Sequence, residues 1–169
     1  MAETSSNLIT NTDATPPVLN SVAKAGGRMR IMADAFEVAS ADIDADGDII
    51  RLCRLPAHAV VYSIKIWSDD LGGSGTVDCG LYAEGGTTAT DATIFADNFD
   101  ISGQVTNGSE LRAQVASAAA LASIGKKLYE CLATPLTADP QVMYDLCLTV
   151  ETVCSAAGTV GFVVQYTID

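Results

Sequence analysis

The chain has 169 residues, with 21 Asp and Glu against 9 Lys and Arg and a formal net charge of −12. That length suits one domain, long enough to bury roughly two thirds of its unfolded surface. The charge repels phosphate backbones and anionic lipid, which excludes nucleic acid and membrane surfaces as partners.

Residues 1–31 read as a polar leader, with a rigid TPPV break at Thr15–Val18 and a flexible AGG at Ala25–Gly27. It has no apolar period, so an extended N-terminal arm is expected, either disordered or ordered only against a neighbour. Residues 1–33 carry a net +1 and the other 136 carry −13. This suits a docking leader on an acidic body, although so few charges can also fall this way by chance. MAETSSNLITNTDA lacks the basic and then apolar start of a secretion signal, so a soluble chain made in the cytoplasm is expected.

From residue 32 the apolar period becomes two. FEVASA (Phe36–Ala41) and DIIRLCRL (Asp48–Leu55) are short strand candidates, joined by DIDADGD as a hairpin turn at Asp46 and Gly47. AVVYSIKIW (Ala59–Trp67) places Val60, Tyr62, Ile64 and Ile66 on one face and Val61, Ser63, Lys65 and Trp67 on the other. TVDCGLYA (Thr76–Ala83) and TIFA (Thr93–Ala96) follow, set off by the glycine-rich DDLGGSG and EGG.

A helix is expected from a Ser109 cap through Leu111, Val115, Ala119 and Ala122 to Gly125 and Lys126. Its AQVASAAALASIG stretch, Ala113–Gly125, is too short and too rich in Ala and Ser to span a bilayer. KLYECL (Lys127–Leu132) is a further strand candidate. VMYDLCLTVE sends Val142, Tyr144, Leu146, Leu148 and Val150 inward, with Asp145, Thr149 and Glu151 outward. TVGFVVQYTI repeats the pattern with Val160, Phe162, Val164, Tyr166 and Ile168. Eight strands separated by turn signals predict an all-β fold, a two-sheet β-sandwich over residues 32–169 with one short helix.

Catalytic apparatus is hard to find. DIDADGD (Asp42–Asp48) matches the first half of an EF-hand loop, yet position 12 is Cys53 rather than a bidentate carboxylate, and strands rather than helices flank it. A loose calcium site between strands remains an alternative to a solvated turn. His58, the one histidine, is expected on the surface in a PAHA turn; GGSG at Gly72–Gly75 lacks the glycine a nucleophile elbow needs. Asp69 and Asp70 would point to opposite faces of a strand and read as turn residues. NGS at Asn107–Ser109 is a sequon that a chain kept in the cytoplasm would not use. Cys53, Cys79, Cys131, Cys147 and Cys154 contain no CxxC and are odd in number, which disfavours disulfides and a zinc cluster. No enzyme and no cofactor is expected. Trp67 is either a cover for the rim of the core or an exposed anchor for an interface.

Taken in order, the segments TPPVLN, GGRMR, FEV, DADGDIIRLCRLPAHAVVYSIKIWSDDLGGSGTVDCGLY, IFADNFDIS, GKKLYE, YDLCLTV and AAGTVGFVVQY resemble tailed-bacteriophage virion proteins, in particular head decoration or cement proteins. The resemblance runs from Thr15 to Tyr166 and is most specific over Leu55–Tyr82. It implies a jelly-roll-like β-sandwich that forms a homo-oligomer, a trimer by expectation, on the capsid surface of the virion, with the major capsid protein as partner. The matches to TPPVLN and GGRMR imply Pro16, Pro17, Val18, Leu19, Arg28 and Arg30 as contacts to capsid or subunit. Alternatives are a tail, neck or head-fibre component, or a carbohydrate- or calcium-binding jelly roll.

Overall fold

The computed structural model describes residues 7–19, 27–112 and 123–168. Its strands are β1 Met29–Val38, β2 Ile49–Pro56, β3 Val60–Ser68, β4 Thr76–Ala83, β5 Ala89–Asp100, β6 Val105–Glu110, β7 Met143–Thr152 and β8 Gly158–Thr167. They form two four-stranded antiparallel sheets, β1-β8-β3-β6 and β2-β7-β4-β5. First pairs with last, second with seventh, third with sixth and fourth with fifth, so the chain is a long hairpin rolled over on itself. That is the jelly roll.

The two inner faces supply the core. Ile64, Ile66, Val160, Phe162, Val164 and Tyr166 come from the first sheet; Leu55, Val77, Leu81, Phe95, Leu146 and Leu148 come from the second. Alternation along β8 does what a period of two predicts, and in β7 Tyr144, Leu146, Leu148 and Val150 face the core as expected while the residues between them are buried on the other face.

Several elements differ from the sequence reading. In β3 an extra residue, Tyr62, interrupts the register with β8, because Val61 sits opposite Tyr166 and Ser63 opposite Gln165. This β-bulge turns Val61 into the core and Tyr62 out of it, reversing the expected faces over that half of the strand. Glu110, expected to open a helix, ends β6 instead and fills the irregularity. Its Oε1 accepts from the amides of Ile64 at 2.8 Å and Arg112 at 3.0 Å, and its Oε2 accepts from Ser63 Oγ. Ser109 likewise lies in β6, opposite Ile66. Residues 113–122 of the expected helix lie outside the described residues.

KLYECL is not a strand. Leu128–Cys131 is one helical turn, α2, whose Leu128 and Tyr129 amides donate to the carbonyls of Ala59 and Ala57 and so pin it beside the entry to β3. FEVASA leaves the sheet at Val38 and continues as a 3-10 turn at Ser40–Asp42. In the leader, Asn7–Asp13 forms a short helix, α1, and β1 takes in Met29, Arg30 and Ile31. Val142 is exposed, while Asp145 and Thr149 are buried on the outer face of the second sheet.

Gly80 explains part of that burial. β5 crosses it so closely that a Cβ there would collide with the backbone oxygens of Asp91 and Ala92. The crossing accompanies large register shifts between β4 and β5, where Cys79 faces Ala96 but Leu81 faces Asp91.

Candidate interaction surfaces

The six leader residues fall in two exposed groups. Pro16, Pro17, Val18 and Leu19 follow α1, and the Val18 amide donates to the Asn11 carbonyl at 2.9 Å, turning the segment back along the helix end. Leu19 is 95% exposed. Arg28 precedes β1 and Arg30 lies within it; both are exposed, and among the described residues neither has an ion pair. Residues 20–26, between the two groups, lie outside the described residues.

DIDADGD is not a hairpin, because β1 and β2 belong to different sheets. The segment carries the chain across the sandwich, with Ile43 buried beneath it and Gly47 at φ +87°. Asp48 Oδ2 accepts from the Ala45 amide at 2.9 Å, and Asp42 Oδ2 accepts from the Ala39 amide at 3.3 Å. Two of the four carboxylates are thus tied to backbone turns. Among the described residues no group of three or more His, Cys, Asp or Glu is placed to hold a metal ion.

The outer face of the second sheet carries a buried polar band. Asp145, with its side chain 5% exposed, accepts from Arg54 Nε at 2.7 Å, Arg51 Nη1 at 3.4 Å and the Gly85 amide at 2.9 Å. Arg51 and Arg54 are three apart and would face opposite ways on a regular strand. An extra residue at Leu52 shifts the register with β7 and puts both guanidinium groups over one carboxylate. The Arg54 hydrogen bond, helped by the Gly85 amide and the two guanidinium charges and opposed by burial, holds the Asp145 carboxyl below its ordinary range. Nearby, Tyr82 Oη and Thr149 Oγ1 lie 2.6 Å apart. Beside them the Asp78 carboxylate, followed by burial and by Asp46 and Asp97, pushes the Glu151 carboxyl up.

Burial disfavours the thiolate at each cysteine. All five cysteines are free. Burial pushes Cys53 and Cys147 up to about 12 and Cys79 well above its ordinary value.

The outer face of the first sheet is plainer. Trp67 lies there, half-buried beside Gly161 and Ala35 and outside the core, and its ring covers Gly108, where a Cβ would sit 2.5 Å from the indole. Ala35, Gly161, Trp67, Val105 and Thr106 line a shallow groove of about 430 Å³. Met29 and Ile31, 53% and 62% exposed, stand on the neighbouring β1. His58 Nδ1 lies 3.3 Å from Asp139 Oδ2 at the surface, and Asp69 and Asp70 serve turns by accepting from the Thr159 and Gly72 amides.

No family model and no curated protein sequence matches this chain. Solved structures do. A chain in the structure of the cyanophage Pam1 capsid asymmetric unit aligns with a TM-score of 0.52 and 17% identity, covering 94% of this chain and 98% of its own. This fold occurs in phage capsids. A chain in the capsid of Ralstonia phage GP4 aligns with a TM-score of 0.51 and 18% identity, covering 83% of this chain and 85% of its own. What the three share at this level of identity is the fold.

Proposed function

We propose that this chain is a phage head protein of the decoration or cement type, which binds the outside of the capsid and holds neighbouring capsomers together. The observation that carries this reading is the near end-to-end likeness in fold to a chain of a phage capsid asymmetric unit. The acidic body supports it, since charge keeps an exposed coat soluble and apart from nucleic acid. Cementing needs contact area and mass action rather than catalysis. A protein that binds only the assembled shell stabilises it in proportion to its occupancy.

In this reading the leader ahead of β1 meets the major capsid protein, and the sandwich, which takes in Met29–Ile31 of the expected 1–31 arm, faces solvent and sister subunits. Val18 and Leu19 offer exposed apolar side chains and Arg28 offers charge to the shell, while Arg30, within β1, offers its charge to a sister subunit; neither arginine has an ion pair among the described residues. Co-sedimentation of the full chain with emptied, expanded heads tests it. The unaltered chain should pellet with heads, and Val18→Asp with Leu19→Asp should not. Equal pelleting of both would remove the leader from the interface, and labelling of tails rather than heads would move the protein elsewhere on the particle.

A further inference from the structure

We infer that β1 is a pairing edge for a second copy of this chain, joined about a two-fold axis through Met32. The inference rests on the edge itself and stands apart from capsid binding. It also differs from the three-fold association implied by the resemblance.

β1 is ten residues long and ends its sheet, with β8 on one side and no described strand on the other. A long free edge is a template for another strand, which natural sheets blunt with proline, bulges or charged side chains that find no partner across the edge. β1 has no proline and no bulge, its register with β8 runs unbroken from Met29 to Val38, and two of its three charges, Arg30 and Asp34, are of opposite sign. Its outward residues Met29, Ile31, Ala33 and Ala35 are apolar and exposed.

The direction of its amides can be read from one bond. The Ala35 amide donates to Asp34 Oδ1 at 2.8 Å, so it points away from β8. By alternation the amides and carbonyls of Met29, Ile31 and Ala33 point to the same free side. An antiparallel copy centred on Met32 then pairs Ile31 with Ala33 and Met29 with Ala35 through backbone hydrogen bonds.

The same register makes the charges complementary. Arg30 and Asp34 flank Met32 at two residues on either side, and both are exposed. Among the described residues neither has an ion pair. Across the axis each Arg30 faces the other copy's Asp34 at non-hydrogen-bonded positions, where side chains approach most closely. Asp34 would exchange its bond to Ala35 for that arginine, freeing the Ala35 amide for the Met29 carbonyl of the second copy. The interface is isologous, as a closed dimer requires.

Sedimentation equilibrium of the full chain over a concentration series tests the pairing. The unaltered chain should form dimers. Arg30→Asp or Asp34→Arg alone should weaken the association by about tenfold or more, since each places like charges opposite one another twice. The double reversal Arg30→Asp with Asp34→Arg should restore it. Hydrogen exchange at the Ile31 and Ala33 amides should slow as dimer forms. A chain that stays monomeric, forms trimers indifferent to Arg30→Asp, or dimerises without slowing those two amides overturns the inference.

Discussion

Arg54 Nε donates to Asp145 Oδ1 at 2.7 Å, across the β2 and β7 strands of the second sheet, and Arg51 reaches the same carboxylate only because Leu52 is an extra residue in β2. Replacing Asp145 with Ala leaves two guanidinium groups and the Gly85 amide without their shared acceptor. It should lower stability by about 1.5–3 kcal/mol, the range for hydrogen bonds to charged groups. Urea unfolding at neutral pH measures this directly.

The same carboxylate sets an acid limit. Its folded-state pKa is lowered, so its contribution is complete above the unfolded value of about 3.9 and is lost as pH falls through the folded value. The urea midpoint of the unaltered chain should therefore fall below pH 4, and Asp145→Asn should show a flatter profile there.

Glu151 acts in the opposite sense. The facing Asp78 raises its pKa in the fold, so the repulsion is absent at low pH and sets in as pH rises through the unfolded value of about 4.3 toward the raised one. Glu151→Gln should raise the melting temperature at pH 7 and leave it nearly unchanged at pH 3. Added salt should shrink the gain, because Glu151 is exposed.

Gly80 and Gly103 make a matched pair of substitutions. Gly80→Ala drives a methyl into the backbone of β5 and should cost about 3 kcal/mol or prevent folding, whereas Gly103→Ala meets open space and should be neutral within about 0.5 kcal/mol. Thermal melts of the two variants decide it.

The thiols give a further check. Cys53, Cys79 and Cys147 are held protonated, so a thiol reagent at pH 8 should react little with these three in the native chain and titrate all five cysteines in urea. Rapid native reaction at Cys79 would contradict the closed core described here.

Much of this architecture is legible in the residues, and the exceptions share a cause. β8 alternates because it buries one face, and the apolar residues of β7 at every second position supply the core as that period predicts, although β7 is buried on its outer face as well. The bulges at Leu52 and Tyr62 are not legible, because an extra residue in one strand is specified by its partner's register. β6 reads VTNGSE, with a turn signal at Asn107 and Gly108, and becomes a strand only because Trp67 and Ile66 lie alongside it. KLYECL alternates well enough for a strand, yet its amides are taken by Ala57 and Ala59, which favours a single helical turn. The leader residues Pro16, Pro17, Val18, Leu19, Arg28 and Arg30 stand out by composition and resemblance, and they are exposed in the fold. A contact to a second molecule would have to be specified by that molecule's surface, so composition and exposure alone do not identify it.

The most direct measurement is the protein content of purified particles from the host that yields this chain. Virions banded by density and analysed by quantitative mass spectrometry should hold the chain at a copy number of the same order as the shell protein. They should also lose it to added protease while the shell stays closed. Infectious particles devoid of the chain, or particles that keep it beyond protease reach inside the head, would contradict an external cementing role.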